Sequence, residues 1–514
     1  MPQFAVRRGA LLIVLILIPW NLYAQTGANV PGVGPDPAEV SVSNQSADED
    51  LDRLLVDLRQ RIEAVEQENQ ELRGHRQGAA ADATGEVSLL SAMQERLTQV
   101  QDPSITTVDQ QTHKTGAAKS EAKAKKWYDR LSIRGYAQFR YNFTVQEEAD
   151  SAPAQHVGDR SVGANQNFLI RRARVIISGD VSDHMYVYLQ PDFASSVPGS
   201  TDANLFAQIR DWYGDLYVDE DKVYRFRIGQ SKIPYGWENL QSSSNRIALD
   251  RSDSLNSAVR NERDLGLFFY WTPESAQDLF KEVLDEGLKG SGNYGVFGLG
   301  VYNGQGGSFS EQNENLHVVS RLTYPYKLWD GQIVEFGVQG YTGKYTVLSS
   351  PIRPLGLGPV VRPLGTLETD GRPGIRDERI AGTFVWYPQP FGIQAEWNVG
   401  RGPSLNDAQT TVVERSLNGG YVMLTYRWKT ECHGTLFPFA KFNYYRGGHK
   451  AERNAPYSEV DEYEVGLEWQ FNPQMELVAQ YTITDRTNTT ALTSGESYRQ
   501  FEGQLLRTQF QINY

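Results

Sequence analysis

The feature that most constrains this chain is an alternation that begins near Leu131 and runs to the last residue. In the closing stretch LLRTQFQINY, Leu506, Thr508, Phe510, Ile512 and Tyr514 fall on one side of an extended backbone. Arg507, Gln509, Gln511 and Asn513 fall on the other, because successive strand side chains point to opposite faces. LSIRGYAQFRYNF repeats the pattern at the front, with Leu131, Ile133, Ala137, Phe139 and Phe143 opposed to Ser132, Arg134, Gln138, Arg140 and Asn142. About sixteen such segments follow one another up to Tyr514. Short joins such as PQP after Tyr387 and NPQ after Phe471 alternate with longer joins rich in Gly, Ser, Pro and Asp.

The apolar faces can be covered either by other sheets or by lipid. The segments exceed the ~5–6 residues usual in soluble sheets, and no blade repeat of ~40–45 residues marks a propeller. Aromatics also gather in close pairs near strand ends: Trp212 with Tyr213, Tyr235 with Trp237, Tyr270 with Trp271, Trp386 with Tyr387, Tyr444 with Tyr445. Girdles at the two lipid–water interfaces account for such clustering. The expected fold is an all-β transmembrane antiparallel barrel of about 16 strands, a size that leaves an aqueous channel. Spanning helices are excluded, since mean hydropathy is −0.50 and nothing past the N-terminus approaches the ~20 apolar residues they need. A net charge of −13 speaks against general nucleic-acid binding, while leaving room for a local basic site.

Ahead of the barrel, residues 1–24 read as an export signal: Arg7 and Arg8, the apolar run GALLIVLILIPW, and a small-residue end at Ala24. Residues 25–46 read as a flexible linker. In 47–74, Leu51, Leu55, Leu58, Ile62, Val65, Asn69 and Leu72 step by four and three, the spacing of a coiled-coil helix that joins copies of the chain, with Asn69 setting register. Residues 75–126 form a low-complexity tether, and 127–514 the barrel. The 7 histidines are scattered, with no metal-ligand spacing, and the single cysteine, Cys432, cannot close an intrachain disulfide. The chain reads as a non-enzyme without a cofactor.

Several stretches, in order, resemble the phosphate-selective porin O/P family of Gram-negative outer membranes. They include NFLIRRARVIISGDVSDHMYVYLQPDF, IRDWYGDLYV, FRIGQSKIPYGWENLQSS, LDRS with RNERDLGLFFYW, GVYNGQGGSFSEQNENLHVVSRLTYPY, PFAKFNYY and EYEVGLEWQFNPQMELVAQYT. The resemblance implies a trimeric sixteen-stranded porin in the outer membrane with long loops folded into the lumen, and passive uptake of phosphate or other small anions along an arginine- and lysine-lined path. The N-terminal heptad is not part of the porin core; it looks like the coiled-coil extensions of some trimeric channels and places the N-terminal region in the periplasm.

Selectivity in a wide barrel comes from charged side chains at the constriction. Strand phase turns Arg134, Arg140, Arg172, Arg174, Arg225, Arg227, Arg321 and Arg507 inward, with Lys441 less certain because Phe437 and Phe439 share its face. By analogy with the family, the polar stretch after Lys232 folds into the pore and presents Lys232, Arg246, Arg251, Arg260 and Arg263. Inward acids (Asp211, Asp215, Glu335, Glu396, Glu476) compete, since they can neutralise those arginines. The reading is an outer-membrane porin for small anions such as phosphate, a homotrimer in lipid. The alternatives are a non-selective porin and a secretion or assembly channel gated by its coiled coil through a periplasmic partner.

Overall fold

The computed structural model describes residues 126–148, 152–159, 161–163, 166–194, 207–307, 309–371, 374–489 and 498–514. The heptad residues Leu55, Leu58, Ile62, Val65, Asn69 and Leu72 lie outside the described residues. Two compact units divide the chain, Met1–Lys119 and Ser120–Tyr514, and the second holds everything described below.

After a 3-10 turn at Trp127–Arg130, one antiparallel sheet takes up the chain. Its strands are β1 (Leu131–Glu147), β2 (Asn167–Ser182), β3 (Met185–Asp192), β4 (Gln208–Tyr217), β5 (Tyr224–Lys232) and β6 (Arg263–Trp271). Next come β7 (Phe297–Tyr302), β8 (His317–Lys327), β9 (Ile333–Tyr345), β10 (Ile375–Trp386), β11 (Phe391–Leu405) and β12 (Val412–Tyr426). The last are β13 (Trp428–Lys429), β14 (Thr435–Gly448), β15 (Tyr457–Asn472), β16 (Met475–Thr487) and β17 (Gln500–Asn513). The two residues of β13 continue β12 past Arg427 along the same partner, β14, so the wall has sixteen staves.

The sheet closes where β17 pairs with β1, Phe510 opposite Phe139 and Ile512 opposite Ala137. At this join the Gly135 amide donates to the Tyr514 carbonyl at 2.6 Å and the Tyr514 amide returns a bond to Gly135 at 2.9 Å. A Cβ at Gly135 would lie 2.2 Å from the Arg174 carbonyl oxygen and 2.6 Å from the Tyr514 ring, so the glycine lets the last residue lie flat against the first strand.

Burial is inverted relative to a soluble protein. Ile133, Phe168, Val338, Ile380 and Val465 are exposed on the outside, while Gln138, Arg140, Arg507, Gln509 and Gln511 are buried inside. Leaving such apolar side chains in water would forgo about 1.5–3 kcal/mol each; acyl chains cover them instead, and closure pairs the backbone polar groups that lipid cannot satisfy. Among the described residues no helix is long and apolar enough to cross a membrane.

Connections 183–184, 218–223, 328–332, 387–390, 430–434 and 473–474 are short and lie at one end, whereas 233–262 and 346–374 are long and lie at the other. Outer-membrane barrels keep short turns in the periplasm and long loops outside. One exception at the short-turn end is the connection 272–296, which carries the helix Glu274–Asp285.

The aromatic pairs do not all form girdles. Alternation separates neighbours, so Trp271 faces out while Tyr270 is buried in the lumen. Tyr387 and Tyr445 are also buried inside. Tyr235 and Trp237 leave the wall altogether: both are fully buried in the segment 233–262, which turns into the barrel after β5.

Candidate functional site, the constriction inside the barrel

Two different chemistries hold the inserted segment 233–262. On one side Ile233, Tyr235, Ile247, Leu255 and Val259 pack against Phe268, Tyr302, Tyr341, Tyr421, Phe437 and Phe439 of the wall. Phe437 and Phe439, which share a face with Lys441, find their place in this apolar core inside the lumen. On the other side the contacts are polar. Gln138 donates to the Ser243 carbonyl at 2.9 Å, Lys441 binds Glu238 at 2.5 Å, and Arg486 binds Asp253 at 2.8 Å. Arg379 donates to Ser257 Oγ at 2.8 Å, and Asp250 receives Arg140 at 3.4 Å together with Arg507.

Between the segment and β2, β3 and β4 a cavity of about 70 Å³ remains, more than a single water needs. Its wall holds Arg171, Arg172, Arg174, Arg210, Arg246 and Arg251 against Asp192, Asp250 and Glu262, six guanidiniums to three carboxylates. The pairing is uneven. Arg174 binds Asp192 at 2.7 Å, Arg210 and Arg251 bind Glu262 at 3.2 and 2.8 Å, and Arg171 lies 3.6 Å from Asp159. Among the described residues Arg172 donates only to the Gln138 side-chain oxygen, at 2.7 Å. Arg246 donates to the carbonyls of Ala248 and Leu249 at 3.0 and 2.6 Å. Arg172 Nε and Arg246 Nη1 are buried without a hydrogen-bond partner among the described residues. Burial would raise the Glu262 carboxyl, but the charges of Arg251, Arg210 and Arg263 outweigh it and hold the group well below the usual range.

Two of these arginines contradict simple alternation, and the backbone explains both. In the β1–β2 ladder Gln138 faces Arg172 while Phe139 faces Ile170, so Arg171 is an extra residue. In the β3–β4 ladder Gln190 faces Asp211 while Pro191 faces Ile209, so Arg210 is extra. A bulge sets two consecutive side chains on one face; here each bulge adds an arginine to the cavity.

Of the residues expected to line the pore, Arg172, Arg174, Arg246 and Arg251 reach this cavity. Arg140, Arg321 and Arg507 are buried in ion pairs with Asp159, Glu335 and Asp250. Arg227 binds Asp215 at 2.7 Å, and Arg225 donates to the Asn293 carbonyl at 2.9 Å. Arg263 is held by Asp211 and Glu262 at 2.9 and 2.7 Å. Lys232 donates to the carbonyls of Leu240 and Gln241 at 2.7 and 2.9 Å and fastens the inserted segment. Arg260 lies over the Phe309 ring at 3.7 Å. Arg134 is exposed, donating to Ser178 Oγ at 2.7 Å. The competing acid Glu396 accepts the amides of Trp237 and Glu238 at 2.6 and 2.7 Å, capping the segment rather than an arginine.

His156, Glu462 and Glu464 converge with ligand-type atoms within 4.8 Å of one another. Their surroundings favour an ion-pair network over a cation site. His156 Nδ1 accepts the Gly158 amide at 3.1 Å, which leaves the proton of the neutral ring on Nε2, 3.4 Å from Glu462. Arg486 stands 2.9 Å from Glu462, and Arg507 stands 3.7 Å from Glu464.

A closed lipid-facing barrel whose hydrated bore is narrowed by an inserted segment defines an outer-membrane channel. The sequence model of the phosphate-selective porin O and P family matches residues 139–514, and the chain belongs to that family. No curated protein matched the sequence. Among solved structures, similarity extends to OmpF of Salmonella typhi in complex with daunomycin, at 11% identity over 75% of this chain and 98% of that one, with a TM-score of 0.46. It extends also to the outer-membrane channel DcaP of Acinetobacter baumannii (12% identity, 75% and 97% covered, TM-score 0.43) and to the trimer form of OmpT of Vibrio cholerae (10%, 75% and 99%, 0.42).

Proposed function

We propose that the channel passes small inorganic oxyanions, phosphate or a similar ion, by way of the arginine cavity. The observation that carries this reading is the state of Arg172 and Arg246: among the described residues both are buried without a carboxylate partner, each with an N–H that finds no acceptor. Guanidinium forks match oxyanions through paired hydrogen bonds. The carboxylates nearby keep the site from becoming a trap, which conduction requires. The test is the reversal potential of purified protein across a salt gradient in a planar bilayer, together with block of the chloride current by added phosphate. An anion-selective potential and a phosphate block that weakens in Arg172→Gln support the reading; a potential near zero or of cation-selective sign overturns it.

The reading includes a homotrimer, supported by the family resemblance and by the heptad from Leu51 to Leu72, and tested by the mass of the detergent-solubilised protein with and without residues 25–126. The same deletion separates a solute pore, whose single-channel conductance survives it, from a conduit gated by the coiled coil, whose conductance changes.

A further inference from the structure

A second segment enters the lumen from the opposite end. After the helix Glu274–Asp285 the chain does not return directly to β7; residues 287–295, GLKGSGNYG, reach across the bore beneath the inserted segment. Lys289 is buried to 1% relative exposure, and its amine pairs with Glu468 of β15. That strand is separated from β7 by β8, β9, β10, β11, β12 and β14, so the tie spans opposing walls. The inserted segment rests on the same strap. Gln241 donates to the Lys289 carbonyl at 2.6 Å, and Asn245 donates to the Gly290 carbonyl at 2.8 Å. At its far end the Asn293 carbonyl accepts Arg225 of β5.

The backbone is shaped for this crossing. Gly287, Gly292 and Gly295 adopt φ of +66°, +93° and +79°, and Lys289 itself adopts φ of +66° without being a glycine. A left-handed lysine is uncommon and costly, and persists only where its surroundings hold it. Here they do: the amine reaches its carboxylate and lies 5.0 Å from the Phe437 ring centre.

We propose that this strap is a second constriction that sets the size limit of the channel, with Lys289–Glu468 as its tie and the arginine cavity setting charge preference separately. The inference adds to the anion reading without resting on it, because pore diameter filters neutral solutes as well. Purified full-length protein is placed in liposomes and swelling is followed with neutral sugars of increasing size, in parallel with the reversal potential. Lys289→Gln and the double exchange Lys289→Met with Glu468→Met are compared with the parent. The double exchange removes both partners of the tie, so neither Lys289 nor Glu468 is left as an unpaired buried charge, which keeps the test open if the single variant does not fold. The expected result is a severalfold faster entry of the larger sugars relative to the smallest, with the reversal potential unchanged. A parental size limit in the folded double variant overturns the proposal. So does a shifted reversal potential without a change in size limit, which would make the strap an element of charge selection. An unselective parent would sink the anion reading and leave the sugar measurement standing.

Discussion

Arg172 and Arg321 both point inward from the wall, yet their neighbours give them different work. Arg321 binds Glu335 at 3.2 Å, and Glu335 also receives Trp237 Nε1 at 3.0 Å and the Tyr387 hydroxyl at 2.6 Å. Removing this guanidinium leaves a buried carboxylate without its counter-charge, which costs about 3–5 kcal/mol. Arg321→Gln should therefore lower the temperature at which the folded barrel loses its compact mobility on unheated gels, while the reversal potential stays at the parental value. Among the described residues Arg172 has no acid to orphan, and its charge faces the cavity. Arg172→Gln should do the reverse: unchanged thermal mobility, a reversal potential moved toward zero, and weaker phosphate block.

Among the strands, β2 and β4 show where reading by alternation succeeds and where it stops. The period of two places Arg172 and Arg174 inside and leaves Ala173 and Val175 partly exposed on the other face, and it holds through the final strand from Leu506 to Tyr514. It cannot place Arg171 or Arg210, because a bulge is a property of the pairing with β1 or β3 and not of the strand itself. Consecutive arginines in LIRRAR and the proline at 191 were the available hints. The inserted segment was legible as polar and arginine-rich, but its apolar grip was not, since Ile233, Tyr235 and Trp237 read equally well as strand-end residues. The strap was invisible for a similar reason: its glycines look like an ordinary long turn until Lys289 is seen on the far wall. The bulges yield a test of their own. Arg210→Ala removes one cavity charge while Glu262 keeps Arg251 and Arg263 at 2.8 and 2.7 Å. Anion preference should fall with thermal mobility unchanged, and reversal-potential measurements on the folded variant check it.

For the whole molecule, an architecture follows in which the barrel provides the bore and the inserted segment narrows it. The wall alone would leave a wide channel at sixteen staves; the segment 233–262 fills part of that space through apolar packing and ion pairs with the wall. Its fastening depends in part on acids that lie outside the strands. Burial would raise Asp250 and Glu262, but Arg140 and Arg507 around the first, and Arg251, Arg210 and Arg263 around the second, hold both well below their ordinary values. A carboxylate depressed in the folded state stabilises it above the unfolded pKa, about 3.9 for Asp and 4.3 for Glu. That contribution is lost only as pH falls through the still lower folded value. The ties through Asp250 and Glu262 should therefore persist across the whole range from neutrality to mild acid. Single-channel conductance and reversal potential are expected to hold constant from about pH 8 to about pH 5, with excess open-channel noise from a loosened segment appearing only below about pH 4. Asp250→Asn, which weakens the hold of Arg140 and Arg507, should bring that noise to neutral pH. Quiet currents from this variant at pH 7 would show that the apolar packing and the remaining polar ties keep the segment in place without Asp250.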